Sequence, residues 1–289
     1  MQYQSATFTG VSGLEIYYQS WQRAKATRGS ICLAHGLGSH GDTFKTLASD
    51  LALRDYTVYS LDLRGHGRSQ GKRGYIHRWS EFREDLRQLV QIAKEPELPC
   101  FIFGHSLGAT ITLDYALHYP QTLQGIILSA LPISKINLSP VKMALGQALS
   151  SLWPTFTLDT GLDIAASSRD PNEVAQRYAD PLRHRYGRAR MASEFHQTIT
   201  QLQRHSLDLQ VPVLFLHGTA DRIVPAQGSR QFFEAITFPD KQYQEYPGAY
   251  HDLHADLDYP KMLTDLNHWL DQHLQPQYSW KTSQITVDT

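Results

Sequence analysis

Residues 100–117 read CFIFGHSLGATITLDYAL, and their reading decides the fold. CFIF is a continuous apolar run of the kind that suits a strand covered on both faces, as in a parallel sheet. LGATITLDYALH then reads as a helix that must stop by Tyr119, because Pro120 follows and disfavours a helical residue before it. Between the two stands Gly104-His105-Ser106-Leu107-Gly108. Working outward, the same unit recurs. Short strand-like runs lie at Ile31–Ala34, Thr57–Leu61, Gly125–Ser129, Val213–His217 and Gln242–Tyr246, with helical stretches between them. One such stretch starts near Ser80 as its N-cap and places Phe82, Leu86, Leu89, Val90 and Ala93 on one face. Upstream, Thr7–Gly10 and Leu14–Ser20 read as a hairpin about a Ser12-Gly13 turn. Strands alternating with helices predict an α/β fold: a mostly parallel central sheet flanked by helices.

The alternation breaks after the sixth strand, Gly125–Ser129. From Leu131 to Leu207 there are helix signals and no convincing strand. Ser139-Pro140 is an N-cap with proline at N1, leading into a stripe of Val141, Leu145, Leu149 and Leu152. Asp170-Pro171-Asn172-Glu173 has the spacing of a capping box. Met191, Phe195, Ile199 and Leu202 form a further stripe. The expected organisation is a core of residues 1–130 and 208–274, a helical cap of residues 131–207 inserted between its parts, and a polar tail of residues 275–289. A last helix is expected over Pro260–Leu274.

Composition narrows the function classes. A formal net charge of -1 with no long basic run argues against a nucleic-acid footprint. The two cysteines, Cys32 and Cys100, sit in strand-like runs and read as buried reduced thiols. MQYQSATFTG has neither the charged nor the apolar region of a secretory signal. No run approaches the ~20 apolar residues of a membrane-spanning helix. A cytoplasmic protein is expected.

The chemistry centres on Ser106. A serine between two glycines, at a sharp strand-to-helix turn, is held with its Oγ exposed at the carboxyl edge of the sheet. Its hydroxyl becomes a useful nucleophile only beside a base, which needs an orienting carboxylate. Asp221, in HGTADRIVP after the strand VLFLH, and His251, in YPGAYHDLH after QYQEY, fall on loops that reach the same edge. Asp252 and Asp256 compete for the acid, and His254 and His217 for the base. An oxyanion hole needs backbone N–H groups, here those of Leu107 and of Leu37 in His35-Gly36-Leu37-Gly38. No cofactor or metal is expected. Gly65-His66-Gly67 lacks the third glycine of a dinucleotide loop, Gln70 standing in its place, and His251 with His254 lacks a completing ligand set.

HGLGSHGDTF at 35–44, LDLRGHGRSQGKRGYI at 61–76, GHSLGA at 104–109, ADPL at 179–182, HGTADRIVP at 217–225 and YPGAYHDLHAD at 246–256 together resemble the monoacylglycerol lipase and lysophospholipase group of the α/β-hydrolase fold, related to the serine aminopeptidase family. The resemblance spans most of Gly29 to Leu270. Ala109 departs from it, where a second glycine is common. It implies Ser106, Asp221 and His251 as a triad, Leu37 and Leu107 as the oxyanion hole, and an apolar cap over residues 131–207. The implied substrate is a small-molecule lipid: the acyl ester of a monoacylglycerol or lysophospholipid, met at a membrane surface by the cap. A carboxylesterase, thioesterase or acyltransferase with the same triad is the alternative, followed by a peptidase and by a non-catalytic binding protein of this fold.

Overall fold

The computed structural model describes residues 1–23, 26–134 and 140–274, without the side chains of residues 140–143 and 158. The expected cap Ser139 and the tail from residue 275 therefore lie outside the described residues. An eight-stranded sheet runs in the order β1 (Gln2–Thr9), β2 (Glu15–Gln22), β4 (Thr57–Leu61), β3 (Ser30–Ala34), β5 (Cys100–His105), β6 (Gly125–Ser129), β9 (Val213–Gly218), β10 (Lys241–Tyr246). Strands β1, β2 and β4 pair antiparallel, and every pair from β4 to β10 is parallel. This is the α/β-hydrolase fold that the sequence implies.

The apolar runs are continuous because both sheet faces are covered. In β5, Phe101 and Phe103 face the cluster built with α1 (Lys45–Leu53) and α8 (Tyr259–Gln272). Cys100 and Ile102 face the opposite cluster, with α2 (Ser80–Ala93), α3 (Leu107–His118) and α7 (Ala226–Ala235). Cys32 and Cys100 are buried free thiols, as expected. Ser80 does not cap α2; it is the first helical residue, and the Glu81 carboxylate instead accepts the His77 N–H at 3.0 Å.

Between β6 and β9 the chain leaves the sheet for α4 (Pro140–Leu152), α5 (Pro171–Ala179) and α6 (Ala189–Arg204). Asp170 caps α5 by accepting the Asn172 N–H at 2.8 Å. The insertion is not purely helical. β7 (Thr157–Asp159) and β8 (Tyr186–Arg188) pair antiparallel, each three residues long and too short to carry an alternation pattern. Met191, Ile199 and Leu202 of α6 join the core alongside α3, with Phe195 packed at its edge. The α4 stripe behaves differently: Leu145 and Leu152 are 68% and 87% exposed. No helix among the described residues is long and apolar enough to cross a membrane.

Strand order places the site. β3 and β5 are neighbours, so the loops leaving their carboxyl ends meet, and the loops after β9 and β10 open on the same edge. Helix α3 lies hard against this pair: a Cβ on Gly108 would stand 2.0 Å from the Ala34 carbonyl oxygen, and one on Gly104 2.4 Å from that of Gly108. Gly108→Ala should therefore push α3 off the sheet and cost about 1–3 kcal/mol, as overpacking does. Urea unfolding checks this, and a midpoint equal to that of the parent chain would contradict the close approach.

Candidate functional site

Ser106 links β5 to α3 at φ 53°, ψ −119°, a region that L-residues rarely adopt. Such a conformation costs about 1–3 kcal/mol and persists where surrounding contacts impose it. Those contacts are present. The Ser106 N–H donates to the Ser129 carbonyl of β6 at 2.9 Å, while its own carbonyl accepts the Ala109 N–H at 2.9 Å. The turn presents the side chain to a cavity of about 70 Å³, which His251, Gly36 and Leu37 also line.

His251 is buried, 5% exposed, and its Nδ1 lies 2.7 Å from Asp221 Oδ2. A carboxylate only accepts, so Nδ1 carries the proton and Nε2 offers a lone pair. Asp221 is itself fixed, its Oδ1 accepting the N–H groups of Ile223 and Val224, both at 2.8 Å. Burial works to raise the Asp221 carboxyl, but the close approach of His217, whose Nε2 lies 3.4 Å from Oδ2, and the His251 bond outweigh it and hold it far below the usual range. For His251, burial favours the neutral ring, yet the Asp221 bond and charge, with Asp252 adding to them, prevail and raise its pKa above 6.5.

The loop after β3 is held by His35. Its Nε2 accepts the Leu63 N–H at 2.9 Å, which leaves the proton on Nδ1 to be donated to the Gly36 carbonyl at 2.7 Å. Burial keeps this imidazole neutral, with its pKa well below the usual value. Gly36 runs so close that a Cβ there would stand 3.2 Å from the Ser106 Cβ. Neither the Leu37 nor the Leu107 N–H is taken up by a hydrogen bond among the described residues. Leu107 opens α3, whose dipole also favours negative charge at this point.

The competing candidates each have another occupation. Both ring nitrogens of His217 are engaged, Nε2 on the Val224 carbonyl at 2.8 Å and Nδ1 with Ser229 Oγ at 2.7 Å. Asp256, its side chain wholly buried, takes Arg169 from the inserted segment. His254 lies edge-on to His105, with Nδ1 unpartnered, and burial holds it neutral. Asp252 does reach the site, but at the other side of the base: its Oδ1 is 3.9 Å from His251 Nε2. It pairs with His105 Nε2 at 2.8 Å and with Arg177 Nη1 of α5 at 2.6 Å. Sequence reasoning singled out neither Arg177 nor His105's bond, since nothing local marks an arginine on α5 as a neighbour of residue 252. The ligand atoms of His105, His251 and Asp252 come within 4.8 Å of one another, so a carboxylate does complete a converging set. His105 Nε2 and both Asp252 oxygens are engaged in the bonds just given, which leaves His251 Nε2 as the one free nitrogen lone pair of the set. Gly65, Gly67 and Gly71, all at positive φ, shape the turn after β4, where Asp62 accepts the Gly41 and Arg68 N–H groups at 2.6 and 2.7 Å and ties it to the loop after β3.

Comparison with known proteins places the whole chain rather than its site. A family model described as serine aminopeptidase, S33 (Hydrolase_4) matches residues 25–258. The monoacylglycerol lipase of Mycolicibacterium smegmatis is 36% identical, over 93% of this chain and 97% of its own. The crystal structure of the Paleococcus ferrophilus monoacylglycerol lipase superposes with a TM-score of 0.79 at 29% identity, covering 94% of this chain and all of that one. A soluble variant of the Saccharomyces cerevisiae monoglyceride lipase, in complex with a substrate analog, gives a TM-score of 0.81 at 27% identity over 94% of each chain. The chain belongs to the Hydrolase_4, serine aminopeptidase S33, family of α/β-hydrolases.

Proposed function

We propose that this protein is a carboxylic ester hydrolase that cleaves monoacylglycerols through an acyl-enzyme on Ser106. The observation that carries the reading is His251, bound through Nδ1 to Asp221 at 2.7 Å while lining one cavity with Ser106 at its strained turn. His251 Nε2 takes the Ser106 proton as Oγ attacks the ester carbon. The Leu37 and Leu107 N–H groups receive the oxygen that gains charge. The imidazolium then protonates the departing alcohol, and water, activated by the same nitrogen, releases the fatty acid. Each oxyanion donor is worth about 10²–10³ in turnover. The similarity to proteins named monoacylglycerol lipases supports the choice of ester. Beside the reaction cavity, across Arg183 and His254, a polar cavity of about 380 Å³ offers room for a hydroxylated head group.

Residues 131–207 act as the cap in this reading, and α4 is the part that meets lipid. Leu145, Leu152 and Trp153 stand 68%, 87% and 59% exposed, an apolar face open to solvent, with Trp153 edge-on to Phe156. A peripheral, transient contact with the surface that holds a single-chain substrate follows.

A fluorophosphonate probe should label the parent chain and leave Ser106→Ala unlabelled; equal labelling of both would remove Ser106 as the nucleophile. Asp221→Asn, which lets the wrong His251 tautomer form, should lower kcat about 10⁴-fold with the fold intact. Circular dichroism and steady-state kinetics read the two effects separately, and near-normal turnover would return the acid to Asp252.

Neutral His251 is the active form, and its pKa is raised, so activity should be lost as pH falls through a midpoint above 6.5. A kcat/KM profile with a fast, soluble ester locates that limb. A midpoint at or below 6.5 would show that burial, not Asp221, dominates the ring.

Acyl chains from two to sixteen carbons should give rising kcat/KM until the chain is fully covered, each buried methylene contributing about 0.8 kcal/mol. Changing Leu145, Leu152 and Trp153 to polar residues should slow hydrolysis of vesicle-borne monoacylglycerol and leave soluble butyrate esters unaffected. A preference for acetate esters that ignores these changes would leave a short-chain esterase.

A further inference from the structure

The base stands between two carboxylates, and the two are held differently. Asp221 bonds Nδ1, as the reaction requires. Asp252 Oδ1 lies 3.9 Å from Nε2, the nitrogen that must exchange a proton with Ser106. That is beyond hydrogen-bond distance but well within range for charge to act. A carboxylate free to turn there would form a bond to the protonated Nε2, draw the ring away from Ser106 and retain the proton meant for the leaving alcohol. Asp252 is not free to turn. His105 Nε2 donates to Oδ1 at 2.8 Å, and Arg177 Nη1 pairs with Oδ2 at 2.6 Å. The same guanidinium donates to Ser167 Oγ, and the Asp252 N–H donates to the Ser167 carbonyl at 2.8 Å. Arg177 is 6% exposed and Asp252 6%, so the pair meets in a setting where charge is poorly screened.

We infer that Arg177, supplied by the inserted segment, is a positioning residue for His251: it holds the Asp252 carboxylate off Nε2 and cancels its charge, so that the base keeps facing Ser106. The inference rests on the assignment of His251 as the base. The groups around the ring from each packed element are few. Asp221 and His217 come from β9 and its loop, His105 from β5, Asp252 and His254 from the loop after β10, and Arg177 from α5. Arg183, lining the same cavity, adds a second positive charge from the inserted segment. His254 is held neutral by burial, which also lowers His105 against the pull of Asp252. Burial works to raise the Asp252 carboxyl, but Arg177 and then His105 outweigh it and hold it well below the usual range. Asp252 is therefore charged throughout the working pH range, and Arg177 is the guanidinium paired directly with it.

The signs follow. Without Arg177, uncompensated negative charge at Nε2 favours the imidazolium, so activity is lost at higher pH. Without Asp252, Arg177 is the uncompensated charge and the limb moves the other way. The test is the kcat/KM–pH profile of p-nitrophenyl butyrate for the intact chain and for Arg177→Met, Arg177→Lys, Asp252→Asn and the double variant Arg177→Met/Asp252→Asn. Arg177→Met should move the acid limb up by about one pH unit, with about a tenfold loss of kcat/KM below it. Asp252→Asn should move the limb down. The double variant should return it near the parent position, and Arg177→Lys, which keeps the charge, should hold it there. An unmoved limb in the single variants, or a double variant worse than Arg177→Met alone, would leave Arg177 a merely structural residue. Should Arg177→Met fail to fold, the downward shift of Asp252→Asn and the constancy of Arg177→Lys decide the matter, and their absence overturns the inference. Activity surviving in His251→Ala would instead remove the base assignment on which all of this stands.

Discussion

Ser106 at φ 53°, ψ −119° is a conformation that an L-residue resists, and the surrounding structure can be understood as what makes it tolerable. The turn is gripped from three directions: by the ladder bond to Ser129 in β6, by the first turn of α3, and by β3, whose Ala34 carbonyl leaves no room for a side chain at position 108. Because β3 is the grip on one side, the loop that follows it cannot be far from the serine. That is why Gly36 and Leu37 arrive where an oxyanion would form. The position of the Leu37 N–H thus follows from sheet order and from the packing of one glycine.

Histidines crowd this edge, and what separates them is which nitrogen each partner occupies. His35 spends both nitrogens on backbone and fixes a loop. His217 spends both on the Val224 carbonyl and the Ser229 hydroxyl. His105 meets a carboxylate through Nε2, and its remaining nitrogen points toward the Ser129 hydroxyl. His251 alone among these has a carboxylate on Nδ1 and its Nε2 turned toward the serine's cavity. Burial lowers the pKa of His35, His105 and His254 and the carboxylates raise that of His251, so one edge holds several neutral rings and one that takes a proton more readily.

The core was legible because its signals are local. CFIF, GIIL and VLFL are apolar throughout since both faces of each strand are covered, and Gly104 and Gly108 flank the serine because two backbones nearly touch there. Loop order along the chain then brought Asp221 and His251 to the edge. The inserted segment was harder. Strands of three residues, β7 and β8, leave no periodicity to read. The stripe of α4 was legible as an apolar face but not what covers it: Leu145 and Leu152 point outward, and periodicity does not distinguish a face packed on protein from one left open. Loop placement alone left Asp252 competing with Asp221, and the resemblance pointed to Asp221. Asp252 is the nearer to His251 along the chain, yet a neighbour in sequence cannot readily reach around its own ring to Nδ1, whereas a residue from the adjoining loop can.

The insertion between β6 and β9 therefore joins two physically different pieces. Residues around α4 present apolar side chains to solvent and touch the rest chiefly through α6. Residues 163–190 are fastened to the loops after β3 and β10. The His184 N–H donates to the Gly38 carbonyl at 3.1 Å, His40 pairs with Asp180 at 2.6 Å, Arg169 is tied to the buried Asp256, and Arg177 to Asp252. Removing one member of a buried ion pair costs about 3–5 kcal/mol, so this piece cannot swing away from the core cheaply. The α5 side of the insertion thus keeps Asp252 paired, while among the described residues α4 has fewer such ties. The second half of the insertion is, through Arg177 and Asp252, part of the wall beside His251.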